Sequence, residues 1–514
     1  MKKENLYWLA VPLFVLGSLA FIWQTSFVAI DGQRYFSLFE DGMISMRYAW
    51  NLSHGLGLVW NAGERVEGYS NPLMTLLMSV VTALFDKKLA VLLIQLLGIP
   101  TVLGVAFLTR QLARELYENR AMADLAFVGI LFYAPLAYWS LLGMETGLLT
   151  LLVLAGFLCA VKYMKNGQPH QLWYVAILLG LAFLTRNESL LLAGLIFAML
   201  AIHIWRSGAE RRSLVFAMLI YSVFVMGQLF FRLCYYGQLV PNTYTLKVTG
   251  VPMSVKLRWG MQYIQPFLAQ SVLLVELALF ALLRGKWKNT TLLLFLPILL
   301  GYLISIGGDA FPLWRLLVPA MPFVFVLAAS ASVELIAWCR PQAKALPLAW
   351  MLLSLLLLNI PLIGQVYNRE GQNVQAFYNG HSTNVAIGLL ALTKPQASIG
   401  VFLAGVIPYY ADRRAIDFLG KSDAHIANLP AHLEIAMPGH NKYDLQYSIR
   451  KLQPTYIQRF YWWDKRENLR SWAIKHYVRA NYATPYGDIT LILKRGDLAV
   501  RWEKATIIPW AEEQ

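Results

Sequence analysis

Long apolar runs separated by short polar breaks fill the chain as far as Gly364 and stop there. The first, Leu6 to Ile30, is too long for a signal-peptide core and lacks a convincing small-x-small cleavage site, so it reads as a membrane anchor preceded by Lys2 and Lys3. Ten more fall at 89–109, 121–138, 146–161, 171–185, 188–205, 213–233, 269–283, 291–306, 316–338 and 345–363. Each approaches the roughly 20 residues with which a helix crosses a bilayer. About eleven transmembrane helices are therefore expected. The run Leu73 to Phe85 is short for a span and is expected to close the first loop as an interfacial or re-entrant helix.

Basic residues orient this array. If Leu73 to Phe85 does not cross, Arg110, Arg114 and Arg120, Lys162 and Lys165, Arg206, Arg211 and Arg212, Arg284, Lys286 and Lys288, and Arg340 and Lys344 all share the N-terminal face. Counting it as a span would scatter them, against the tendency of Lys and Arg to stay on the cytoplasmic side. The expected protein is thus a multi-pass protein of the cytoplasmic (inner) membrane with its N-terminus inside. Outside lie the first loop (31–88), Ser140 to Gly147, Thr185 to Glu188, Tyr235 to about Pro266, and Gly307 to Arg315.

Beyond Gly364 the pattern changes. Ser398 to Leu403, Ala415 to Leu419, Thr455 to Phe460 and Ile489 to Leu493 are short strand-like runs, alternating with helical patterns around Lys442 to Leu452 and Lys465 to His476. The expected architecture is a polytopic α-helical membrane domain, residues 1–364, followed by an extracytoplasmic (periplasmic) α/β domain, residues 365–514.

Composition agrees with a membrane protein: 58% of the 514 residues are hydrophobic and only 14% charged, with a mean hydropathy of +0.50. The net charge of +15 reads as Lys and Arg holding cytoplasmic loops and meeting anionic membrane lipid, not as a nucleic-acid surface. Cys159, Cys234 and Cys339 suggest neither a disulfide framework nor a zinc site, and the eight histidines lack H-x-x-x-H spacing. No metal or other cofactor is called for. The absence of a Walker loop and of a dinucleotide glycine fingerprint disfavours a nucleotide-sugar donor.

One stretch, Glu40 to Pro72, crowds polar, charged, aromatic and glycine residues together between apolar runs. At helical spacing Glu40, Arg47 and Asn51 share a face, Asp41, Ser45 and Tyr48 lie beside it, and Met43, Met46 and Trp50 form the opposite stripe. The expectation is an interfacial helix with its apolar side in lipid and its acids towards a cavity, ended by His54-Gly55-Leu56-Gly57. The two carboxylates have two readings: they cap the helix, or one takes a proton as general base. Arg186, Arg232, Lys247 and Arg315 fall at outer ends of spans, where they either snorkel to headgroups or form a fixed cationic site for phosphate. Glu276 lies within a span, as a functional acid or as a partner for a neighbouring helix.

The residues Arg47-Tyr48-Ala49, Gly63-Glu64 and Val66-Glu67-Gly68-Tyr69-Ser70-Asn71-Pro72-Leu73 resemble the first external loop of GT-C membrane glycosyltransferases that use polyprenyl-phosphate sugars, in the branch of the mycobacterial terminal arabinofuranosyltransferase. Gly143-Met144-Glu145-Thr146, Tyr235-Tyr236-Gly237 with Pro241-Asn242-Thr243 and Lys247, Gly307-Gly308-Asp309 to Arg315, Ala404 to Tyr410, and Gly439-His440-Asn441-Lys442 extend the resemblance to both ends of the chain. It implies a cell-envelope enzyme that moves a sugar, with arabinofuranose as the best single guess, from a polyprenyl-phosphate donor to a glycan, lipid or protein acceptor. It further implies substrate-binding roles for Arg47, Tyr48, Glu67, Tyr69, Asn71, Tyr236, Asn242, Lys247, Asp309 and Arg315; Glu145 holds sugar hydroxyls or caps the following span, Arg186 joins the set by its place at a span end, and His440 is structural or faces the acceptor.

Glu40-Asp41-Gly42-Met43 departs from the family's usual opening and leaves open which acid has which role. By similarity to protein mannosyltransferases the first acid, Glu40, is the base and Asp41 orients or binds. A lipid phosphate leaves readily as an anion, so no second carboxyl has to protonate it, unlike hydrolysis of an ordinary glycosidic bond. Two other classes compete: a secondary transporter or flippase, which needs broken helices near the midplane, and a non-catalytic scaffold for surface assembly.

Overall fold

The computed structural model describes residues 6–284, 287–340, 343, 345–462 and 467–510. Lys2, Lys3, Lys286 and Lys344 of the expected basic clusters lie outside them, as does the start of the helical pattern at Lys465. The helices of the first part are α1 (Leu6–Gln24), α2 (Glu40–Ser53), α3 (Pro72–Leu84), α4 (Lys87–Tyr117), α5 (Arg120–Leu131), α6 (Ala134–Leu141), α7 (Thr146–Asn166), α8 (His170–Thr185), α9 (Ser189–Ser207), α10 (Arg212–Tyr236), α11 (Asn242–Val248), α12 (Met253–Phe280), α13 (Trp287–Ile306), α14 (Met321–Trp338) and α15 (Leu346–Val366). A two-stranded ribbon, β1 (Phe27–Val28) and β2 (Arg34–Tyr35), precedes α2.

Among the described residues eight helices are long and apolar enough to cross a membrane: α4, α7, α9, α10, α12, α13, α14 and α15. The pair α5 and α6 counts as a ninth only if taken together, because the two meet at 50°, whereas α1, α3 and α8 are apolar but shorter. The run expected to be continuous at 121–138 is therefore broken. Pro135 at the start of α6 cannot continue the hydrogen-bond ladder. Asn359 on α15 satisfies both freed backbone groups, accepting from Ala134 N at 2.9 Å and donating to Phe132 O at 2.8 Å.

Two other expectations are corrected. Residues 235–266 do not form one outer loop: α11 interrupts them, and α12 begins at Met253 and runs through Pro266. This part of α12 is held by close packing, since a Cβ at Gly260 would meet the Ile304 backbone at 2.5 Å. Nor does α2 rest its apolar side on lipid. Met43 and Met46 are buried against α3 and the C-terminal domain, because protein covers the face the sequence left for the membrane.

The C-terminal part holds α16 (Val374–Leu392), α17 (Val406–Ala411), α18 (Ala424–Ala427) and α19 (Arg470–His476), with strands β3 (Ser398–Val401), β4 (Arg414–Asp417), β5 (Tyr456–Ile457), β6 (Tyr477–Thr484), β7 (Gly487–Lys494) and β8 (Thr506–Ile508). They build one mixed sheet in the order β4-β3-β5-β7-β6-β8, parallel around β3 and antiparallel from β5 onward. The helix expected over Lys442 to Leu452 is reduced to one π-helical turn, Gln446–Lys451. Strands β6 and β8 and helix α16 have no counterpart in the sequence reading.

The sheet domain shares a hydrophobic core with the first loop, in which Met43, Met46, Tyr48 and Trp60 pack with Ile399, Val406, Ile407 and Tyr409. Polar bonds fix the register of that contact. Asn61 pairs with the Ala415 backbone on β4 through both amide atoms, and Trp60 Nε1 donates to Ala404 O at 3.1 Å. Arg47, only 7% exposed, donates to the backbone oxygens of Trp60, Pro408 and Arg413. Truncating it strands several buried carbonyls, each at a cost of about 1–3 kcal/mol. Arg47→Met is therefore expected to lower the thermal unfolding temperature sharply and to open the segment after Val366 to protease, with no recovery in Arg47→Lys, which lacks the planar fork.

Candidate active site

The N-terminus of α2, the loop into α3, the start of α7, the link between α8 and α9, helix α11, the loop from Gly307 to Arg315 and the turn that carries Lys421 converge on one cleft. Two contiguous cavities of about 400 and 690 Å³ make up the cleft, sharing Ser70, Arg186, Thr243 and Lys247 in their walls. Asp41 lines the smaller one, with its side chain 18% exposed. Its Oδ1 accepts from Lys421 Nζ, and its Oδ2 lies 4.0 Å from Arg315 Nη1. Burial works to raise its pKa, but Lys421, Arg315 and Lys247 outweigh burial and hold the carboxyl well below the usual carboxylate range.

Arg315 is itself fixed. Asp309 accepts from its Nε at 2.5 Å and from its Nη2 at 3.2 Å, a two-pronged pair. The loop returns on itself through left-handed conformations at Gly307 and Gly308, and at Leu313 and Trp314, where a side chain makes that geometry costly. Phe311 underlies the guanidinium at 4.8 Å.

A second chain of contacts runs along the opposite wall. Ser45 donates to Asn71, Asn71 Nδ2 donates to Glu145 Oε2 at 2.9 Å, and Glu145 Oε1 and Glu188 both accept from Arg186. Lys247 stands between the two cavities, faced by Asp309 and Asp41, and burial lowers its pKa. The cleft wall thus carries Asp41, Glu145, Glu188 and Asp309 against Arg186, Lys247, Arg315 and Lys421. Acids hold Arg186, Arg315 and Lys421 in place, and Lys247 adds a fourth cation between the cavities.

Asp41, Tyr69, Asn71, Glu145, Arg186, Lys247, Asp309 and Arg315, all singled out from sequence, therefore line the cleft. The rest sit elsewhere. Glu40 lines neither cavity: its Oε1 accepts from Gly405 N at 2.6 Å and Val406 N at 3.2 Å, capping α17 from outside that helix. Arg47 serves the domain contact described above. Tyr48 donates to Val66 O and accepts from Gly68 N. Tyr236 bonds Tyr69 and Leu58 O. Asn242 donates to the Gly420 and Lys421 carbonyls, steadying the turn that presents Lys421. Glu67 is paired with Arg232, which takes that arginine out of the cationic set. His440 lies behind Phe311, with burial, Lys421 and Lys247 holding its pKa at about 3 and its ring neutral. Glu276 lines an apolar pocket with Leu277, Phe280 and Trp350, apart from the cleft.

Lys421 was missed by the sequence reading, which saw only a strand ending at Leu419. The available signal was the turn Asp417-Phe418-Leu419-Gly420-Lys421-Ser422, in which the Asp417 carboxylate collects the N–H groups of Leu419, Gly420 and Ser422. Gly420 takes the positive φ that the turn needs. Among the described residues no three His, Cys, Asp or Glu side chains gather to hold a metal.

An apolar helical bundle with a charged cleft at one end, capped by a C-terminal sheet domain, is a membrane-protein fold that the chain shares with solved structures. The chain superimposes on ArnT from Cupriavidus metallidurans bound to undecaprenyl phosphate with a TM-score of 0.53 at 12% identity, covering 79% of this chain and 85% of that one. For the oligosaccharyltransferase of Archaeoglobus fulgidus in its apo form the TM-score is 0.50 at 11% identity, covering 98% and 76%. At these identities the likeness is one of fold.

In sequence, 298 residues are 30% identical to the terminal β-(1→2)-arabinofuranosyltransferase of Mycobacterium tuberculosis, 53% of this chain and 42% of that protein. Another 26% identity over 267 residues relates it to the enzyme of the same name from Corynebacterium glutamicum, 47% of this chain and 37% of that protein. The chain thus spans less than half the length of either relative. Residues 367–504 match a family described as a domain of unknown function (DUF8728).

The environment of Glu40 has a measurable consequence. Burial raises its pKa from the ordinary 4.5 to about 7, the Gly405 and Val406 N–H groups pulling the other way. Because the folded-state value lies above the unfolded one, the neutral carboxyl's contribution is fully present below pH 4.5 and lost as pH rises through about 7. Glu40→Gln keeps an acceptor oxygen for α17 and cannot ionise. Its stability relative to wild type is expected to improve across that window, by up to about 3 kcal/mol, read as unfolding temperature against pH.

Proposed function

We propose that this cleft transfers a sugar, arabinofuranose by resemblance, from a polyprenyl-phosphate donor to a hydroxyl of a cell-surface glycan, lipid or protein. The observation that carries the reading is Asp41, an ionised carboxylate in a cleft whose cations are fixed beforehand. The acceptor oxygen attacks the anomeric carbon as the bond from that carbon to the phosphate oxygen breaks, and its electron pair stays on the phosphate. The acceptor's proton passes to Asp41. Arg315, Lys247 and Arg186 receive the phosphate charge as it grows, without having to reorganise. At rest the neighbouring cations make Asp41 a weak base. Once the donor phosphate shares Arg315 and Lys247, Asp41 recovers basicity, so the donor itself readies the base.

In this reading the protein's own side chains supply the positive charge that faces the leaving phosphate. We place the protein in the cytoplasmic membrane with the cleft and sheet domain on the outer, periplasmic face, as the basic residues of the opposite loops favour. A transporter is less well supported. The broken pair α5 and α6 is sealed by Asn359, and the charged cleft is built from helix ends and loops.

Asp41→Asn is expected to lose about 100- to 10,000-fold in turnover with a near-wild-type unfolding temperature, whereas Glu40→Gln stays within a few-fold. Purified variants assayed with a polyprenyl-phosphoryl arabinofuranose give the answer, and full activity in Asp41→Asn refutes the mechanism. For the phosphate site, Arg315→Ala and Arg186→Ala are expected to weaken donor binding by about 1.5–3 kcal/mol each. Arg315→Lys should recover little, because its ammonium cannot hold Asp309 with two prongs. Unchanged donor affinity in both alanine variants removes the phosphate assignment.

A further inference from the structure

A separate groove of about 880 Å³ opens sideways between α3, α8 and α10. Its outer walls are apolar, formed by Leu76, Leu184, Val223 and Phe231. Val223 and Phe231 are 69% and 40% exposed, so hydrocarbon reaches this face in a membrane. The inner wall is different. Gln228, 6% exposed, lines it, and neither its amide oxygen nor its nitrogen has a hydrogen-bond partner. An amide buried without partners at this depth is costly, and a lipid chain alone cannot relieve it.

Charge narrows the ligand. Glu67, in the same wall, accepts from Arg232 Nε through both oxygens at 3.0 and 2.9 Å, and Arg232 itself stands behind the wall. Glu67 lines the groove and Arg232 does not, so an anionic headgroup would face a carboxylate there, the reverse of the cleft. What the groove offers is one amide donor and one amide acceptor beside hydrocarbon. Gly227 adds room, since a Cβ built there meets nothing within 4 Å. Tyr69 lines both groove and cleft and separates them.

We propose that this groove is a binding site for an uncharged ester-linked membrane lipid, whose glycerol linkage bonds the Gln228 amide while a chain lies along α10 past Gly227. The site is independent of the transfer reaction, because it involves none of the residues assigned to the base or the phosphate.

The test uses the full chain in vesicles of phosphatidylcholine doped with a photoactivatable diacylglycerol, or with a photoactivatable phosphatidic acid of the same chains. Diacylglycerol is expected to label peptides of α3, α8 and α10 in wild type, and labelling should fall about tenfold in Gly227→Trp and in Gln228→Leu. Arg315→Ala should label as wild type does, which separates this site from the cleft. If Gly227→Trp fails to fold, Gly227→Leu fills the same space. As a second measurement, diacylglycerol should raise the unfolding temperature of wild type but not of Gln228→Leu. Equal labelling by phosphatidic acid, or labelling unchanged in the Gly227 and Gln228 variants, overturns the proposal.

Discussion

Asp41 and Lys421 are 380 positions apart in the chain and meet in one ion pair. Burial alone would push the Asp41 carboxyl towards its neutral form, and the cations beside it, Lys421 first, keep it charged. The pair therefore requires the sheet domain to sit on the helical bundle in one register. The same constraint governs the rest of the cleft. Arg315 is held by Asp309, Arg186 by Glu145 and Glu188, and the Arg315–Asp309 pair closes the sharp loop from Gly307 to Arg315 on itself.

The register is enforced by contacts that contain no chemistry of transfer. Glu40 caps α17, Arg47 collects backbone carbonyls of the domain, and Asn61 pairs with β4 much as a strand would. Lys442, fully buried, donates to the carbonyls of Thr245 and Ala427 and so ties the end of α11 to the domain. Since α11 carries Lys247, that tie fixes a cation of the cleft from outside it. Many polar residues of the first loop thus hold two structural units together, and the few left over face the cleft.

Cleft and groove show how one membrane protein keeps two kinds of polar surface apart. In the cleft four cations and four acids lie around water-accessible cavities, where a further anion gains from several partners at once. In the groove the wall carries Glu67, paired behind it with Arg232 Nε. Tyr69, with its hydroxyl bonded to that of Tyr236, is the wall between them.

The sequence by itself determined the helical bundle, because a helix satisfies its own backbone groups in hydrocarbon and the long apolar runs announce such helices directly. It also marked most of the residues that line the cleft: Asp41, Asn71, Glu145, Arg186, Lys247, Asp309 and Arg315 stand in polar stretches between the apolar runs. It could not separate Glu40 from Asp41. Neighbouring helix positions point about 100° apart, and which direction faces a cleft depends on α17, which is built from residues more than 360 positions away. For the same reason Arg47, Glu67 and Asn242 read as ligands when their partners are protein, and Lys421 went unnoticed at the end of a short strand. Local pattern fixes which residues are polar and on which helix. Only the docking of distant segments decides whether a charge meets another charge, a backbone carbonyl or an open cavity.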